Sequence, residues 1–572
     1  MFLIILLLIL LPSTAMAETY FVDVAESVGL AVYANARGTA VLDANNDGYE
    51  DIMVMSHNTQ NYLFINHGGA HFVEESSIWG VNQSNRNGES VCVADVNNDG
   101  YHDLLCVNSD ASLPFLYLNV AGEEFTEIAE YAGLHYAPGG GISGSFVAVT
   151  GKSMLDVFVS NRYFAHNGNL QYLDITGEIG LSGCSDIFAP VFIDIDGDID
   201  MDLYLAQNHS SPGHLFRLVD SSYVDITSNN SNGAFPKGEG IAFGDYDNDG
   251  DPDLYIGAGY DEPCYLFRND GTGYFEDVSE ESGTNGTPYC RCSTWGDLDH
   301  DGDLDLYVVV VEDRRDYLYI NQNDGTFIDQ SSDLGVDVIS EGLGAAFLDY
   351  DLDGDLDIFV TGLDEFRCRL YRNETNNDNY LKIRIVGPAN NRFGVGAVVY
   401  LYEGGHMGDP MYLLGSRYVQ SLSGLMSTTS QIVHFGVPGD GPFDVFAAFV
   451  SGEPGILYGV HKGTTQTLHS GGIVNVGDEP GQIHPGNFDI GIRCFPTPTN
   501  SRVNIEVTAD SKSDVVLDMY NIRGQKVRNI NVGPVRTTAV KSVDVSDLSS
   551  GIYFIRPHET DNTSSAKFVL LK

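Results

Sequence analysis

Positive charge is what this 572-residue chain lacks most. Its 29 lysines and arginines stand against 80 aspartates and glutamates, a formal net charge of −51 at pH 7. Such a surface cannot neutralise phosphates, so nucleic acid is excluded as a partner. Cysteine is sparse, at 8 residues, which excludes a scaffold built on disulfides. Cys290 and Cys292 form CxC rather than CxxC, and no second half-site accompanies them, so a zinc site is not expected there. Beyond residues 2–11, no apolar run approaches the roughly 18 residues that cross a bilayer, so no transmembrane segment is expected in the mature chain. HExxH, P-loop and GxSxG motifs are missing, and the 15 histidines are scattered. Apolar residues show no helical period.

What is present points to strands. Glycine reaches 64 residues and Tyr plus Phe are 31 and 29, a composition of many short strands and turns. The apolar run at 2–11 is followed by Pro12 and by Ala15-Met16-Ala17, which reads as a secretory signal over 1–17. The mature protein is therefore expected outside the cytoplasm, secreted or on the cell surface.

The chain is organised around an acidic nonapeptide. It begins at Asp43, Asp95, Asp194, Asp245, Asp297 and Asp349, and a degenerate copy lies around Ala148. A period of about 50 residues marks a propeller or solenoid. Oxygen-bearing side chains occupy the first, third, fifth and ninth positions. They are Asp43, Asn45, Asp47 and Asp51; Asp95, Asn97, Asp99 and Asp103; Asp194, Asp196, Asp198 and Asp202. The later copies supply Asp245, Asp247, Asp249 and Asp253; Asp297, Asp299, Asp301 and Asp305; Asp349, Asp351, Asp353 and Asp357. Like charges so close repel unless a hard divalent cation neutralises them. Calcium, which takes about 6–8 oxygen ligands, suits the pattern. Glycine at the sixth position permits the sharp turn, but Ile199 stands there in the fourth copy. In the third copy 147–152 lacks the carboxylates and only Asp156 survives, so a short turn without metal is expected. An EF-hand is excluded, because its twelfth-position glutamate is replaced by Val54, Cys106, Ile256, Val308 and Val360, all in apolar strand-like runs.

Around each loop lie four short apolar runs, and four-stranded repeats of this length are propeller blades. The seventh repeat lacks its last run. Tyr20-Phe21-Val22-Asp23-Val24 at the mature N-terminus supplies it and is expected to close the ring. The fold class expected is all-β: a seven-bladed β-propeller over 18–376, a small β domain over 377–470, a linker over 471–490, and a C-terminal immunoglobulin-like β-sandwich over 491–572.

The nonapeptide D-x-[DN]-x-D-G-x-x-D, complete in five copies, resembles the FG-GAP/VCBS repeats of integrin-type propellers. That resemblance implies five or six structural calcium ions. Tyr380–Val386, Gly415-Ser416-Arg417-Tyr418, His434-Phe435-Gly436-Val437 and Phe449-Val450-Ser451-Gly452 resemble the ASPIC/UnbV module, although Phe449 and Val450 depart from its Trp-Pro-Ser-Gly stretch. Gly394 and Gly396 do not form a dinucleotide loop, because Val399 occupies the place of the third glycine. Met519-Tyr520-Asn521-Ile522-Arg523-Gly524 and Leu548-Ser549-Ser550-Gly551-Ile552-Tyr553 resemble the C-terminal sorting domain of type IX (Por) secretion. It implies engagement with the export machinery.

These readings describe a calcium-stabilised binding or adhesion protein without catalysis, recognising an extracellular polysaccharide or protein. The ligand would lie opposite the acidic loops or near the central axis, read by the irregular stretches 82–89, 135–145 and 260–263. A polysaccharide lyase or hydrolase on the same scaffold, and a structural surface-layer component, are the alternatives.

Overall fold

Short runs rich in β-branched and aromatic residues, each ended by a tight turn, fold into small antiparallel meanders. The computed structural model contains seven of them, each with four strands. It describes residues 20–83, 87–109, 114–134, 142–149, 152, 154–159, 161–184, 187–207, 211–259, 263–287, 289–363, 366–476, 490–495, 502–509, 513–521, 526–535, 538–548, 551–557 and 566–570. The signal segment 1–17 lies outside these residues, as do 84–86, 135–141 and 260–262 of the irregular stretches and 477–489 of the linker.

Blade one comprises Ala36–Leu42, Asp51–Ser56, Tyr62–Asn66 and Phe72–Glu74. Blades two to six repeat this order from Gly88–Ala94, Gly144–Val147, Ile187–Ile193, Gly240–Gly244 and Cys290–Gly296. Blade seven takes Ala345–Leu348, Asp357–Val360 and Arg369–Asn373 from its own repeat and its outer strand, Phe21–Asp23, from the N-terminus. Phe21 pairs with Asn373 and Asp23 with Tyr371. The Asp23 carboxylate also accepts Arg367 and Arg369 at 2.8 and 2.7 Å. The closing strand foreseen in the sequence is thus in place, and the ring has no open outer edge at that seam.

Neighbouring blades are tied by one repeated asparagine. Asn119 donates its amide to Ala44 O of the preceding blade, Asn269 to Ile195 O, Asn321 to Tyr246 O and Asn373 to Leu298 O, all at 2.8–2.9 Å. Asn66 donates to Tyr350 O at 2.8 Å and carries the tie across the closure. One-turn helices follow five of the outer strands, at Ala25–Val28, Ser76–Trp79, Ala129–Ala132, Ser279–Ser282 and Ser331–Leu334. Each ends on a glycine with φ between 76° and 90°, the left-handed stop that glycine adopts without strain. A single turn is too short to leave a period in the sequence.

The small domain has a three-stranded sheet, Tyr380–Val386 with Ile432–Gly436 and Thr464–His469. Facing it is a five-stranded sheet of Leu413–Tyr418, Val398–Glu403, Phe443–Ala448, Gly455–Val460 and Ile473–Asn475. From this domain, residues 420–431 enter the ring along its axis. Thr428 N donates to Thr39 O at 2.9 Å and Thr428 O accepts Val41 N at 3.0 Å. Ser421 Oγ bonds Phe146 of blade three, and Thr429 Oγ1 bonds Phe347 of blade seven. Leu422, Leu425 and Met426 are buried in the core cluster that the blades share. The axis, left open as a ligand position by the sequence, is therefore occupied by the chain itself. Local sequence patterns do not show such an insertion, because its partners lie far along the chain, 82 residues away at Phe347 and 337 at Val91.

The C-terminal domain forms its own sandwich. Ile490–Phe495, Arg502–Ala509 and Thr538–Asp544 make one sheet. Lys526–Val535, Ser513–Asn521, Gly551–Pro557 and Ala566–Leu570 make the other. A separate cluster including Val503, Leu517 and Ile555 forms its core.

Candidate metal centres in the acidic hairpin loops

Each nonapeptide connects the first and second strands of a blade. Its ninth residue is a clamp. One oxygen of Asp51, Asp103, Asp202, Asp253, Asp305 and Asp357 accepts the N–H of the loop's second residue, at 2.8–3.2 Å. The other oxygen accepts an N–H from the third strand, at 2.7–3.0 Å. The fifth residue shapes the turn: one oxygen of Asp47, Asp99, Asp198, Asp249, Asp301 and Asp353 accepts the N–H two residues on. The sixth residue donates its N–H to Oδ2 of the first aspartate in every one of the six loops. Gly48, Gly100, Gly250, Gly302 and Gly354 do so with φ of 92–103°. Ile199 does the same at φ 72°, a conformation costly for a β-branched residue. The fourth loop thus keeps its hydrogen-bond frame despite the substitution.

The carboxylates converge in four loops. Asp194, Asp196 and Asp202, then Asp245, Asp247 and Asp253, then Asp297, Asp299 and Asp305 bring ligand oxygens within 4.8 Å of one another. Asp349, Asp351 and Asp353 do the same, with Asp357 kept to its clamp. In the first two loops asparagine replaces the third-position aspartate, and Asn45 and Asn97 donate their amides to Asp47 and Asp99 at 3.0 and 2.9 Å. Those eight positions do not make such a carboxylate cluster.

Burial, followed by the neighbouring aspartates, disfavours ionisation in the clustered loops. It pushes Asp245 and Asp297 up to about 7, Asp299 up to about 8 and Asp198 up to about 9. Asp245 Oδ1, Asp297 Oδ1, Asp349 Oδ1 and Asp351 Oδ1 are buried and lack a hydrogen-bond partner. A hard oxygen-seeking cation would satisfy these atoms and restore the ionised state, so the donor set fits a calcium-like ion. Its ligands would come from the first, third, fifth and ninth residues.

Blade three solves the charge problem with its own cation. Lys152 Nζ sits 2.5 Å from Asp156 Oδ2, which also accepts Tyr163 OH at 2.9 Å, while Oδ1 accepts His166 N at 2.8 Å. The short turn expected there thus carries an ion pair. The signal was Lys152 four residues before a lone aspartate. Asp156 is fully buried and Lys152 about a third exposed. Lys152→Met is expected to cost about 1–3 kcal/mol in chemical denaturation, the range for losing a bond to a buried charge. Adding Asp156→Asn should recover most of that loss.

The small domain lies over the loops. Lys382 pairs with Asp349, Ser416 bonds Asp245, and Gly436 N bonds Asp297. His434 Nε2 is 2.9 Å from Gly354 O, and Phe393 stacks on His102 with ring centres 4.0 Å apart. The motifs around residues 415–418 and 434–437, which had no role in the sequence, are docking strands. Arg392 packs on Gly100, where a Cβ would lie 3.1 Å from its guanidinium carbon.

A ring of four-stranded blades with acidic hairpin loops that could hold a metal ion defines a repeat propeller, and comparison finds the matching repeat. The FG-GAP-like repeat matches at 43–106, 194–256, 245–308 and 307–360. The secretion system C-terminal sorting domain matches at 493–571, which points to secretion or the cell surface and to export machinery. Among curated proteins the chain resembles cartilage acidic protein 1 of Mus musculus, 25% identical over 256 residues, covering 43% of this chain and 32% of that protein. It is 36% identical over 109 residues to the Xenopus tropicalis protein of the same name, covering 19% and 17%. The chain thus spans no more than about a third of the length of these relatives. A solved rhamnogalacturonan lyase of Bacillus licheniformis aligns with a TM-score of 0.34 and 14% identity over 59% of this chain and 61% of its own. Among the described residues no helix is long and apolar enough to cross a membrane.

Proposed function

We propose that this is a secreted or cell-surface propeller whose acidic loops hold structural calcium, and that it binds an extracellular polysaccharide or protein without transforming it. The observation that carries this reading is the cover over the acidic loops. In blades five, six and seven the first aspartate of each loop is engaged by the small domain, so protein covers one side of each of these centres. A catalytic metal keeps an open position for its substrate. Residues 420–431 occupy the axis, so the free surface of the ring is the opposite face. There the inner strands bulge at Arg37, Glu89 and Arg291, and bulges at a rim re-aim side chains. Arg37 and His57 approach Glu89 at 3.5 and 3.4 Å, and Arg291 pairs with Glu239. This polar mouth suits a hydroxyl-rich or charged ligand. Residues 377–470 are read as an ASPIC/UnbV-like domain, 1–17 as a cleaved signal and 491–572 as the export address.

Metal analysis of the dialysed protein is expected to find at least the four calcium ions of the clustered loops, and up to six where the loops of blades one and two load as well; a value of zero or one would refute the calcium reading. Retention on a glycan or matrix-protein array, with no sugar released from a polysaccharide panel, is the expected behaviour. Released product would replace binding with catalysis, and self-assembly without retention would make the protein a surface-layer component. Deleting 491–572 is expected to leave the chain inside the outer membrane, as cell fractionation would read directly.

A further inference from the structure

In blades five, six and seven the first aspartate of the acidic loop faces two partners. Its Oδ2 accepts the loop's own glycine N–H, from Gly250 at 3.2 Å and from Gly302 and Gly354 at 3.1 Å. The same oxygen accepts a donor from the small domain, and each blade meets a different strand. Ser416 N and Oγ reach Asp245 at 2.9 and 2.7 Å, Gly436 N reaches Asp297 at 2.8 Å, and Lys382 Nζ reaches Asp349. The opposite oxygen, Oδ1, is buried and unpartnered in all three. Blades one and two differ. There Asp43 and Asp95 satisfy both oxygens within their own loops, through the N–H groups of Asp47 and Gly48 and of Asp99 and Gly100. The loops whose first aspartate the small domain engages are also the richer in aspartate, with five each against three.

We propose that these three loops and the small domain form one cooperative unit, in which a divalent cation taken through Oδ1 and the small domain taken through Oδ2 strengthen each other's binding. This rests on the reading of the loops as calcium sites. Donors to the far oxygen of a ligating carboxylate fix its orientation. Three strands of the small domain perform that service at once. Conversely, five crowded carboxylates without a cation repel one another. Spreading any of the loops withdraws acceptors from the docking strands. Lys382 takes Oδ2 and leaves Oδ1 of Asp349 open to the ion. The contact has little slack. A Cβ on Gly436 would lie 2.2 Å from Asp297 Oδ2, and one on Gly354 would lie 2.0 Å from the Tyr380 ring. Coupling between two binding events is reciprocal, so either partner reports on the other.

The test uses the full chain, calcium-loaded or stripped with a chelator. Leu413–Tyr418 and Ile432–Gly436 are edge strands of their sheets. Their amide hydrogen exchange is expected to accelerate on the order of tenfold on stripping, while the interior strands Val398–Glu403 and Phe443–Ala448 hold their protection. Gly436→Ala is expected to weaken calcium uptake at the coupled sites on the order of tenfold, and Ser416→Ala by a few-fold. Equal exchange with and without the ion, or equal loss throughout the chain, overturns the proposal. If Gly436→Ala fails to fold, Ser416→Ala decides, since it removes a single hydroxyl; unchanged affinity counts against coupling. Wild type that takes up no calcium sinks the calcium reading itself, whereas uptake without loss of edge-strand protection sinks the coupling alone.

Discussion

Stripping divalent cations is expected to reverse the protein's response to pH. In the cation-free fold, burial and then neighbouring carboxylates raise the aspartates of the acidic loops: Asp353 to about 6, Asp245 and Asp297 to about 7, Asp299 to about 8. In the unfolded chain the same groups titrate near 3.8. Between about pH 4 and pH 8 the folded state therefore holds protons that the unfolded state has released. Stability must then fall as pH rises through that window, fully present below it and lost above it. With calcium bound the sign changes, because the ion needs ionised ligands and protons compete with it. The loaded protein should gain stability from about pH 5 to pH 8. One site filled at a hundred times its dissociation constant adds about 2.7 kcal/mol. Several such sites separate the two forms on the order of 10 kcal/mol at pH 8, a difference on the order of 10 °C or more in melting temperature. Melting curves across the window, with millimolar calcium and after exhaustive chelation, would check this. Parallel profiles would show that no ion engages the loops.

The six acidic loops and the degenerate copy of blade three solve one electrostatic problem in three ways. Blades one and two dilute the charge, with Asn45 and Asn97 at the third position bonding the adjacent aspartate. Blade three supplies Lys152. Blades four to seven keep their carboxylates together, and there the buried, unpartnered oxygens of Asp245, Asp297, Asp349 and Asp351 call for a cation from outside. Arg217 lies 3.1 Å from Asp196, Lys382 on Asp349 and Arg417 3.9 Å from Asp297, so single protein cations reach these loops without matching their charge.

The architecture was legible because it repeats. One nonapeptide at near-constant spacing set the blades, and the orphan strand Phe21–Asp23 found its partner by elimination. Local features were legible in part. Asn66, Asn321 and Asn373 end the third strand of their blades, but their amides bond carbonyls of another blade, and that partner has no local signature. Asp51 and its equivalents were read as ligands from their place in the repeated nonapeptide. Their clamp role depends on a backbone N–H fifteen or sixteen residues away. The docking strands gave motifs without a meaning, since Ser416 and Gly436 act on loops 171 and 139 residues earlier. Contacts that join distant segments leave traces only as residues without an evident local job.

Replacing residues 421–429 with a glycine–serine chain of equal length is expected to be the most damaging change of all. The inner strand of a propeller blade presents an unpaired edge to the axis. Here those edges are paired by the insert: Thr39, Val41 and Val91 in blades one and two, Phe146 in blade three, Phe347 in blade seven. The insert also buries Leu422, Leu425 and Met426 with at most 2% exposure. Truncating a buried residue of this size costs about 2–5 kcal/mol, and each lost hydrogen bond about 1 kcal/mol. The sum is on the order of 10 kcal/mol, comparable with the whole stability of a folded domain. The variant should therefore be recovered in poor yield, or melt on the order of 10 °C or more below wild type even in calcium. A smaller probe of the same contact is Gly38→Ala, whose Cβ would lie 2.3 Å from Met426 O and 2.4 Å from Glu89 O. Both obstacles are backbone, so relief requires the insert or a strand to move, a cost of about 1–3 kcal/mol or more. If the glycine–serine variant instead kept the wild-type melting temperature, water would be satisfying the inner edges. The axis would then be free to receive a ligand, and the insert would be a displaceable stopper in place of a structural core.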